Sequence, residues 1–153
     1  MTITEANCFY PDSNLYFDPA GMGYTREDLW VDGSLHAWFI HPKEDHAGTA
    51  TVVNLHGNAE NMTSHILASL FFLEMGHRLL AFDYRGYGRS KGSPTLEGIK
   101  DDARAVFAYV FNEPERFGES VFGFGQSMGG FTLAHILPDI PKLKGAIMDS
   151  ALY

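Results

Sequence analysis

The sequence is poor in cysteine and lacks long apolar stretches. Cys8 is the only cysteine among 153 residues, which excludes an internal disulfide and a zinc site built from several cysteines. The longest mainly apolar run, residues 66–73, is far shorter than the roughly 20 residues that a transmembrane helix needs. The N-terminus has neither a basic region nor an apolar core, so it does not resemble a secretory signal. We therefore expect no transmembrane segment, and the cytoplasm is the default compartment.

Basic residues are also scarce. The chain has 11 lysines and arginines against 19 aspartates and glutamates, which gives a net charge of −8. This charge repels polyanions and anionic lipid surfaces, so neither nucleic acid nor a membrane surface is expected as a partner. The remaining composition, 45% apolar and 20% charged, is typical of a globular chain, and 153 residues correspond to one domain. We therefore predict a single domain over residues 1–153.

The first part of the chain predicts an irregular segment followed by a hairpin. Residues 1–26, which we call the lead-in segment, contain two prolines and two glycines and show little periodicity. Such a composition is typical of an irregular segment that lies across a domain. Two short runs of β-type composition follow at 27–32 and 35–40. The pair Asp32-Gly33 between them predicts a hairpin turn that joins antiparallel strands.

The rest of the chain alternates between strand and helix patterns. Apolar or β-branched runs bounded by glycine or polar residues predict buried strands, and apolar residues at helical spacing predict amphipathic helices between them. This alternation predicts an α/β fold with a mostly parallel sheet and helices on both faces. The predicted strands are 49–55, 78–82, 119–124 and 144–148, and the predicted helices are 61–75, 93–110 and 128–137.

The strongest chemical signal is the sequence Gly-Gln-Ser-Met-Gly at residues 125–129. It is a G-x-S-x-G pattern placed directly between a predicted strand and a predicted helix. A nucleophilic serine in this context sits on a tight, strained turn that raises its hydroxyl above the sheet, and the turn needs small neighbours such as Gly125 and Gly129. The following helix would direct its N–H groups and the positive end of its dipole at a developing oxyanion. We therefore predict Ser127 to be a catalytic nucleophile.

Three sequence blocks together resemble one enzyme family. They are Leu-His-Gly-Asn-Ala-Glu-Asn at 55–61, Asp-Tyr-Arg-Gly-Tyr-Gly-Arg-Ser-Lys-Gly at 83–92, and Gly-Gln-Ser-Met-Gly-Gly at 125–130. Their order and spacing are similar to those of α/β-hydrolases, in particular the BEM46-like, peptidase S33-like serine hydrolases, over roughly residues 9–153. The resemblance implies a carboxylesterase, lipase or peptidase that hydrolyses a small-molecule ester or amide substrate through an acyl-enzyme on Ser127, with no cofactor.

The resemblance also implies an oxyanion hole. In such hydrolases the residue after the nucleophile and the loop after a buried strand supply two N–H donors, which here are the backbone N–H groups of Met128 and Asn58. His56 lies before the nucleophile, whereas the family base lies far after it, so we interpret His56 as a residue that stabilises its turn. Asp83 and Arg85 are expected to hold the long loop around them by charge-assisted hydrogen bonds.

The other members of the family's catalytic triad are not evident in the sequence. The family order is Ser, acid, His, and the only histidine after Ser127 is His135, which is predicted to point away from the strand ends. Asp149, at the end of the last predicted strand, is a candidate acid, although the acid of the resembling family comes one strand later. The family sheet has the order 1-2-4-3-5-6-7-8, and this chain stops after the sixth strand. We therefore expect a truncated domain that lacks the His base and is inactive alone, and whose bare last strand favours self-association.

Two other interpretations remain open. A non-catalytic hydrolase-fold fragment or interaction module would keep the turn at Ser127 only as a scaffold, and a histidine-bearing reading frame after Tyr153 would argue against it. The glycines around Ser127 also loosely resemble a dinucleotide-binding loop, as in an NAD(P)-binding module, but their third glycine is misplaced. No metal site is predicted, because His36 and His41 would lie on opposite sides of one strand.

Overall fold

A mostly parallel sheet forms the centre of the molecule. The structure, a computed structural model, describes residues 4–44, 46 and 48–151. Its strands are β1 Tyr10–Pro11, β2 Thr25–Val31, β3 Leu35–His41, β4 Thr51–Leu55, β5 Ala59–Glu60, β6 Arg78–Phe82, β7 Val121–Gln126 and β8 Gly145–Asp149. The main sheet has the order β2-β3-β6-β4-β7-β8; β3 is antiparallel to both of its neighbours, and the other neighbouring strands are parallel. Counted along the chain, these strands lie in the order 1-2-4-3-5-6, which confirms the predicted fold class.

Helices cover both faces of this sheet. They are α1 Met62–His65, α2 Leu70–Glu74, α3 Leu96–Asn112, α4 Pro114–Phe117 and α5 Met128–Ile136. Successive residues of a strand point to opposite faces. In β4, Val53 packs in one apolar cluster with side chains of α3 and α5, whereas Val52 packs in a second cluster with side chains of α1 and α2. Within the described residues, no helix is long and apolar enough to cross a lipid bilayer.

The predicted hairpin is confirmed. β2 and β3 pair antiparallel along their whole length, and β2 begins at Thr25, earlier than the pattern indicates. The Ser34 N–H donates to the Val31 carbonyl at 3.1 Å, and the two residues between them, Asp32 and Gly33, have φ angles of +50° and +67°. Two consecutive positive φ angles are the geometry of a type I′ turn. This geometry is the reason why an Asp-Gly pair predicts a hairpin.

The predicted helix over 61–75 is interrupted in the structure. A 3-10 turn at Ile66–Ser69 separates α1 from α2. The Ser69 hydroxyl donates to the Ile66 carbonyl at 2.9 Å and accepts from the Asn54 side-chain amide at 3.0 Å. A serine hydroxyl bound to a carbonyl one turn earlier competes with the regular hydrogen bonds of a helix. The prediction of one continuous helix is therefore wrong, because apolar spacing contains no information about this contact with β4.

The lead-in segment is more regular than its composition indicates. It contains 3-10 turns at Glu5–Cys8 and Pro19–Met22, and β1 pairs in parallel with β5. Because β5 follows closely after β4, this pairing places the lead-in segment beside the loop at the end of β4. A segment without periodicity is thus ordered by backbone pairing with a distant part of the chain.

β8 forms one edge of the sheet within the described residues. Ile147 on this strand is 50% exposed, and Ala146 beside it is also exposed. An apolar edge strand favours pairing with another strand. Self-association through β8 therefore stays a prediction.

One ion pair fastens the loop after β6 to α3. The Arg85 side chain donates to the Asp102 carboxylate through Nε (2.9 Å) and a terminal nitrogen (2.7 Å), and the Arg85 backbone N–H donates to it at 2.8 Å. Asp102 is buried, whereas the Arg85 side chain is 36% exposed. The expected charge-assisted hydrogen bonds of Arg85 are therefore confirmed. The same loop contains Tyr87, whose hydroxyl donates to the Asn58 side chain at 2.8 Å.

Arg85→Ala should destabilise the fold, because it removes the charged partner of the buried Asp102 carboxylate. Hydrogen bonds to charged groups contribute about 1.5–3 kcal/mol, so we expect the free energy of unfolding in urea to fall by about 2 kcal/mol. Arg104→Ala is the matched control, since Arg104 forms exposed pairs with Asp101 and Asp139, and such pairs contribute less than about 1 kcal/mol. Equal losses in the two variants would contradict a specific role of Arg85.

Candidate active site

Ser127 lies on a sharp turn between β7 and α5. Its φ and ψ angles are +52° and −114°, a combination that residues other than glycine rarely adopt. The Ser127 N–H donates to the Asp149 carbonyl at the end of β8 (2.8 Å), and the Ser127 carbonyl accepts from the Phe131 N–H (3.0 Å). The strained residue is therefore held on one side by the neighbouring strand and on the other by the first turn of α5.

The turn requires two glycines because backbone atoms occupy the space beside them. A Cβ on Gly125 would lie 2.5 Å from the Gly129 carbonyl oxygen, and a Cβ on Gly129 would overlap the Leu55 carbonyl at the end of β4. Close packing of helix on strand thus explains both glycines of the motif.

Asn58, in the loop at the end of β4, is held in place by its side chain. Asn58 Nδ2 donates to the Cys8 carbonyl at 2.6 Å, and Asn58 Oδ1 accepts from the Tyr87 hydroxyl at 2.8 Å. The lead-in segment and the loop after β6 therefore act together on this residue. With both polar groups of the side chain engaged, the Asn58 side chain is held in one orientation.

One cavity brings together the residues that the sequence singles out. Its volume is about 280 Å³, and it is bordered by Ser127, Met128 and Asn58. Met128 is the first residue of α5, so its N–H has no acceptor within the helix. A carbonyl group bound in the cavity would therefore lie next to both the Ser127 hydroxyl and the N-terminal end of α5. The remaining lining residues are Cys8, Phe9, Leu96 and Phe131.

His65 connects the loop at the end of β4 to the turn, and no sequence pattern singles it out. Its Nδ1 lies 2.9 Å from Gln126 Oε1, and its Nε2 lies 2.9 Å from the Ala59 carbonyl oxygen. The ring also occupies the space beside Gly57, where a Cβ would lie 2.7 Å from His65 Cε1. The contact with Gln126 joins positions 61 residues apart, so it exists only in the folded chain.

The other candidate residues lie near the turn but do not complete a triad with Ser127 in the described part of the chain. Asp149 is exposed, and its Oδ2 lies 3.5 Å from the Gln126 amide nitrogen. His135 Nδ1 lies 2.8 Å from the Phe131 carbonyl oxygen of its own helix. Among the described residues, no histidine forms a hydrogen bond with the Ser127 hydroxyl.

A buried histidine and a buried aspartate support the loop that contains Asn58. His56 Nε2 lies 3.5 Å from Asp83 Oδ1, and the Asp83 carboxylate accepts the Met62 N–H at 2.7 Å. Burial lowers the pKa of His56 to about 3 and raises the pKa of Asp83 to about 7, because each charged form would lose its hydration. His56 Nδ1 also lies 2.7 Å from the Gly57 carbonyl oxygen, which agrees with a turn-stabilising role.

His36 and His41 lie on opposite faces of β3. His36 Nε2 is 2.6 Å from an oxygen of Asp28, and His41 Nε2 is 2.7 Å from an oxygen of Glu27. Because Glu27 and Asp28 are consecutive residues of β2, their side chains point to opposite faces of the sheet, and so do the histidines, as predicted. Among the described residues, no group of three or more metal-binding side chains converges.

Relatives of this chain occur in bacteria and in eukaryotes. A family model described as serine aminopeptidase, S33 matches residues 46–153. The chain is 31% identical to the uncharacterized protein YfhR of Escherichia coli K12. The alignment of 147 residues covers 93% of this chain and 52% of that protein. The chain is 30% identical to protein bem46 of Schizosaccharomyces pombe, in an alignment of 112 residues that covers 71% of this chain and 38% of that protein. The chain thus spans about half the length of the curated relatives it matches.

Solved structures with the same fold include esterases. The Pyrococcus furiosus esterase Pf2001 superimposes with a TM-score of 0.79 at 22% identity and covers 93% of this chain and 58% of that chain. A highly thermostable carboxyl esterase from Bacillus coagulans, solved with glycerol, gives a TM-score of 0.63 at 20% identity over 82% of this chain and 43% of that chain. At these identities the similarity establishes a shared fold.

Gly129→Ala should destabilise the protein, because the added methyl group overlaps the Leu55 carbonyl of a central strand. Overpacking of this kind costs about 1–3 kcal/mol, and we expect a loss of at least about 2 kcal/mol in the free energy of unfolding in urea. Gly21→Ala is the matched control, since nothing lies within 4 Å of a Cβ at that position. Two variants of equal stability would contradict the close packing of α5 on β4.

The two buried titratable groups should change stability with pH in opposite directions. An aspartate with a raised pKa stabilises the fold below its unfolded pKa of about 3.8, and Asp83 loses this contribution as pH rises through about 7. His56 has a lowered pKa, so its contribution is present above the unfolded pKa of about 6.5 and is lost as pH falls towards about 3. In the wild type these contributions offset each other between about pH 4 and 6.5.

Asp83→Asn should therefore separate the two effects. We expect the wild-type free energy of unfolding minus that of Asp83→Asn to decrease between about pH 4.5 and 7, by up to about 1.4 kcal/mol per pH unit. Urea unfolding at intervals of about half a pH unit measures this difference. A difference that increases with pH would mean that folding favours the ionised carboxylate, which contradicts the raised pKa of Asp83.

Proposed function

Because the chain belongs to the serine aminopeptidase S33 family of α/β-hydrolases, we propose that it is a serine hydrolase that cleaves an ester or amide bond through an acyl-enzyme on Ser127. One observation carries this proposal: the strained Ser127 borders the same cavity as Asn58 and Met128. A hydroxyl on a strand-to-helix turn beside backbone N–H donors is the arrangement that acyl transfer requires.

In the proposed reaction the Ser127 hydroxyl attacks the carbonyl carbon of the substrate, and the carbonyl oxygen becomes an oxyanion. The backbone N–H groups of Asn58 and Met128 would donate to this oxyanion, and the N-terminal end of α5 adds positive potential. The loss of one such donor typically costs about 2.7–4 kcal/mol of transition-state stabilisation. A general base takes the proton of the Ser127 hydroxyl and delivers it to the leaving oxygen or nitrogen, so that the alcohol or amine departs in its neutral form. Water, activated by the same base, then hydrolyses the acyl ester, which releases the carboxylic acid and regenerates Ser127.

We also infer that none of the described histidines is the general base. His65 has both ring nitrogens engaged with Gln126 and Ala59, and His135 is bound to a carbonyl of its own helix. Loss of the base costs on the order of 10⁶ in turnover, and roughly 10³–10⁴ over water remains from the oxyanion hole and binding. The 153-residue chain alone is therefore expected to be inactive for practical purposes.

The second candidate function is that of a non-catalytic hydrolase-fold module. The observation that favours it is the lack of a histidine partner for the Ser127 hydroxyl among the described residues. In such a module the turn would act only as a scaffold, and Ser127 would have the reactivity of an ordinary serine. Labelling with a serine-directed reagent distinguishes the two candidates.

Imidazole should increase the reactivity of Ser127 towards a fluorophosphonate. Ser127 is partly exposed, so free imidazole can reach it and act as the general base. We expect intact-mass spectrometry to show one phosphonyl adduct per chain, whose rate of formation rises with the imidazole concentration. Ser127→Ala should show no adduct. The matched control is Ser150→Ala, which removes an exposed serine just after β8 and should react like the wild type.

Each other outcome has a distinct meaning. If a folded sample forms no adduct at any imidazole concentration, the turn is a scaffold and the second candidate stands. Rapid labelling without imidazole would overturn the inference about the base, since some residue or second chain must then activate Ser127. An adduct that persists in Ser127→Ala would place the nucleophile elsewhere.

A further inference from the structure

Some residues that line the cavity beside Ser127 have no role in the proposed bond cleavage. Cys8, Phe9, Leu96 and Phe131 line it together with the three residues of the proposed chemistry. Phe9 is buried, Phe131 is partly buried, and Leu96 is 45% exposed although it is apolar. No carboxylate or ammonium group is among the described residues that line the cavity. The surface offered beside the nucleophile is therefore mainly apolar.

Hydrogen bonds attach the lead-in segment to the rest of the protein on both sides of this cavity. On one side, the Cys8 carbonyl accepts from Asn58 Nδ2 at 2.6 Å. On the other side, the Glu5 carboxylate accepts the Leu96 N–H at the start of α3, where a negative charge is favoured by the helix dipole. The parallel pairing of β1 with β5 continues the contact along the chain. The wall that contains Cys8 and Phe9 is thus anchored to the loop at the end of β4 and to α3.

We propose that the cavity between Ser127 and the lead-in segment binds a small apolar group of the substrate next to the scissile bond, and that Phe9, Leu96 and Phe131 set the size of that group. This inference rests on the proposed function, since it assigns the substrate class of the same site. The group is either the acyl chain or the alcohol chain of an ester. The acyl chain is bonded to the carbonyl carbon that Ser127 attacks, and the alcohol chain is bonded to the same carbon through the ester oxygen.

Volume and polarity determine which groups fit. A cavity of about 280 Å³ lies just below the range of about 300–1,000 Å³ for ligand pockets, so it suits a short chain rather than a long lipid chain. Each buried methylene improves binding by about fourfold, until the chain reaches the end of the cavity. The apolar lining leaves a charged substituent without a partner.

Binding to the Ser127→Ala chain tests this proposal without any catalysis. Two ester series are titrated by ligand-observed NMR: methyl esters with acyl chains from acetate to octanoate, and acetates with alcohol chains from methyl to octyl. We expect the affinity to rise about fourfold per methylene in one series and then to reach a plateau. The series that shows the rise identifies the acyl or the alcohol side. Bound ester should also slow the alkylation of Cys8 by iodoacetamide.

Variants of the wall locate the bound group. Leu96→Trp, added to Ser127→Ala, should fill the cavity and weaken binding at least about tenfold. Leu67→Trp is the matched control, because Leu67 is 55% exposed and does not line the cavity, and it should bind like the parent. Phe131→Ala should enlarge the cavity and move the plateau to longer chains. Affinity independent of chain length, unprotected Cys8, or equal losses in the two tryptophan variants would overturn the proposal.

The two proposals fail separately. If Ser127 is not labelled by a fluorophosphonate but the esters bind beside Cys8, the cavity binds an apolar group as proposed and the proposed chemistry of Ser127 is wrong. If Ser127 is labelled in the presence of imidazole but the ester series show no chain-length dependence, the nucleophile stands and the assignment of the apolar group is wrong.

Discussion

The close approach of α5 to the end of β4 is the constraint on which the candidate site depends. Gly129 lies directly against the Leu55 carbonyl, so the helix begins immediately beside the central strand. This contact brings Ser127 and Met128 next to the loop that contains Asn58. The backbones of Gly129 and Leu55 lie in a densely packed interior, so an added methyl group would have to push α5 away from β4. The geometry of the site is therefore a consequence of how the core is packed.

Polar side chains then hold the surrounding loops in place. Asn58 is bound by the lead-in segment and by Tyr87, and His65 joins Gln126 to Ala59. These contacts come from parts of the chain that are far apart in sequence and meet at the ends of the parallel strands. A site built from satisfied hydrogen bonds on a rigid sheet is organised before any substrate arrives.

The lead-in segment forms one wall of the cavity beside Ser127. Its composition lacks any periodicity, yet Glu5 binds the first N–H of α3 and Cys8 binds Asn58, so the segment closes one side of the cavity. The same contacts link the shape of the cavity to the orientation of the proposed oxyanion donor. Under the proposed function, residues remote from the sequence motifs would therefore influence which substrates fit beside Ser127.

Local sequence patterns determined the six strands of the main sheet, the hairpin at Asp32-Gly33 and the turn at Ser127, because each of these depends on residues that are neighbours in the chain. Only the tertiary structure decided the break in the helix at Ser69, the contact of His65 with Gln126, and the raised pKa of Asp83. Each of these depends on which distant residue lies alongside and on how much water is excluded there. Spacing along the chain records neither of these quantities, since both arise when the helices pack on the sheet.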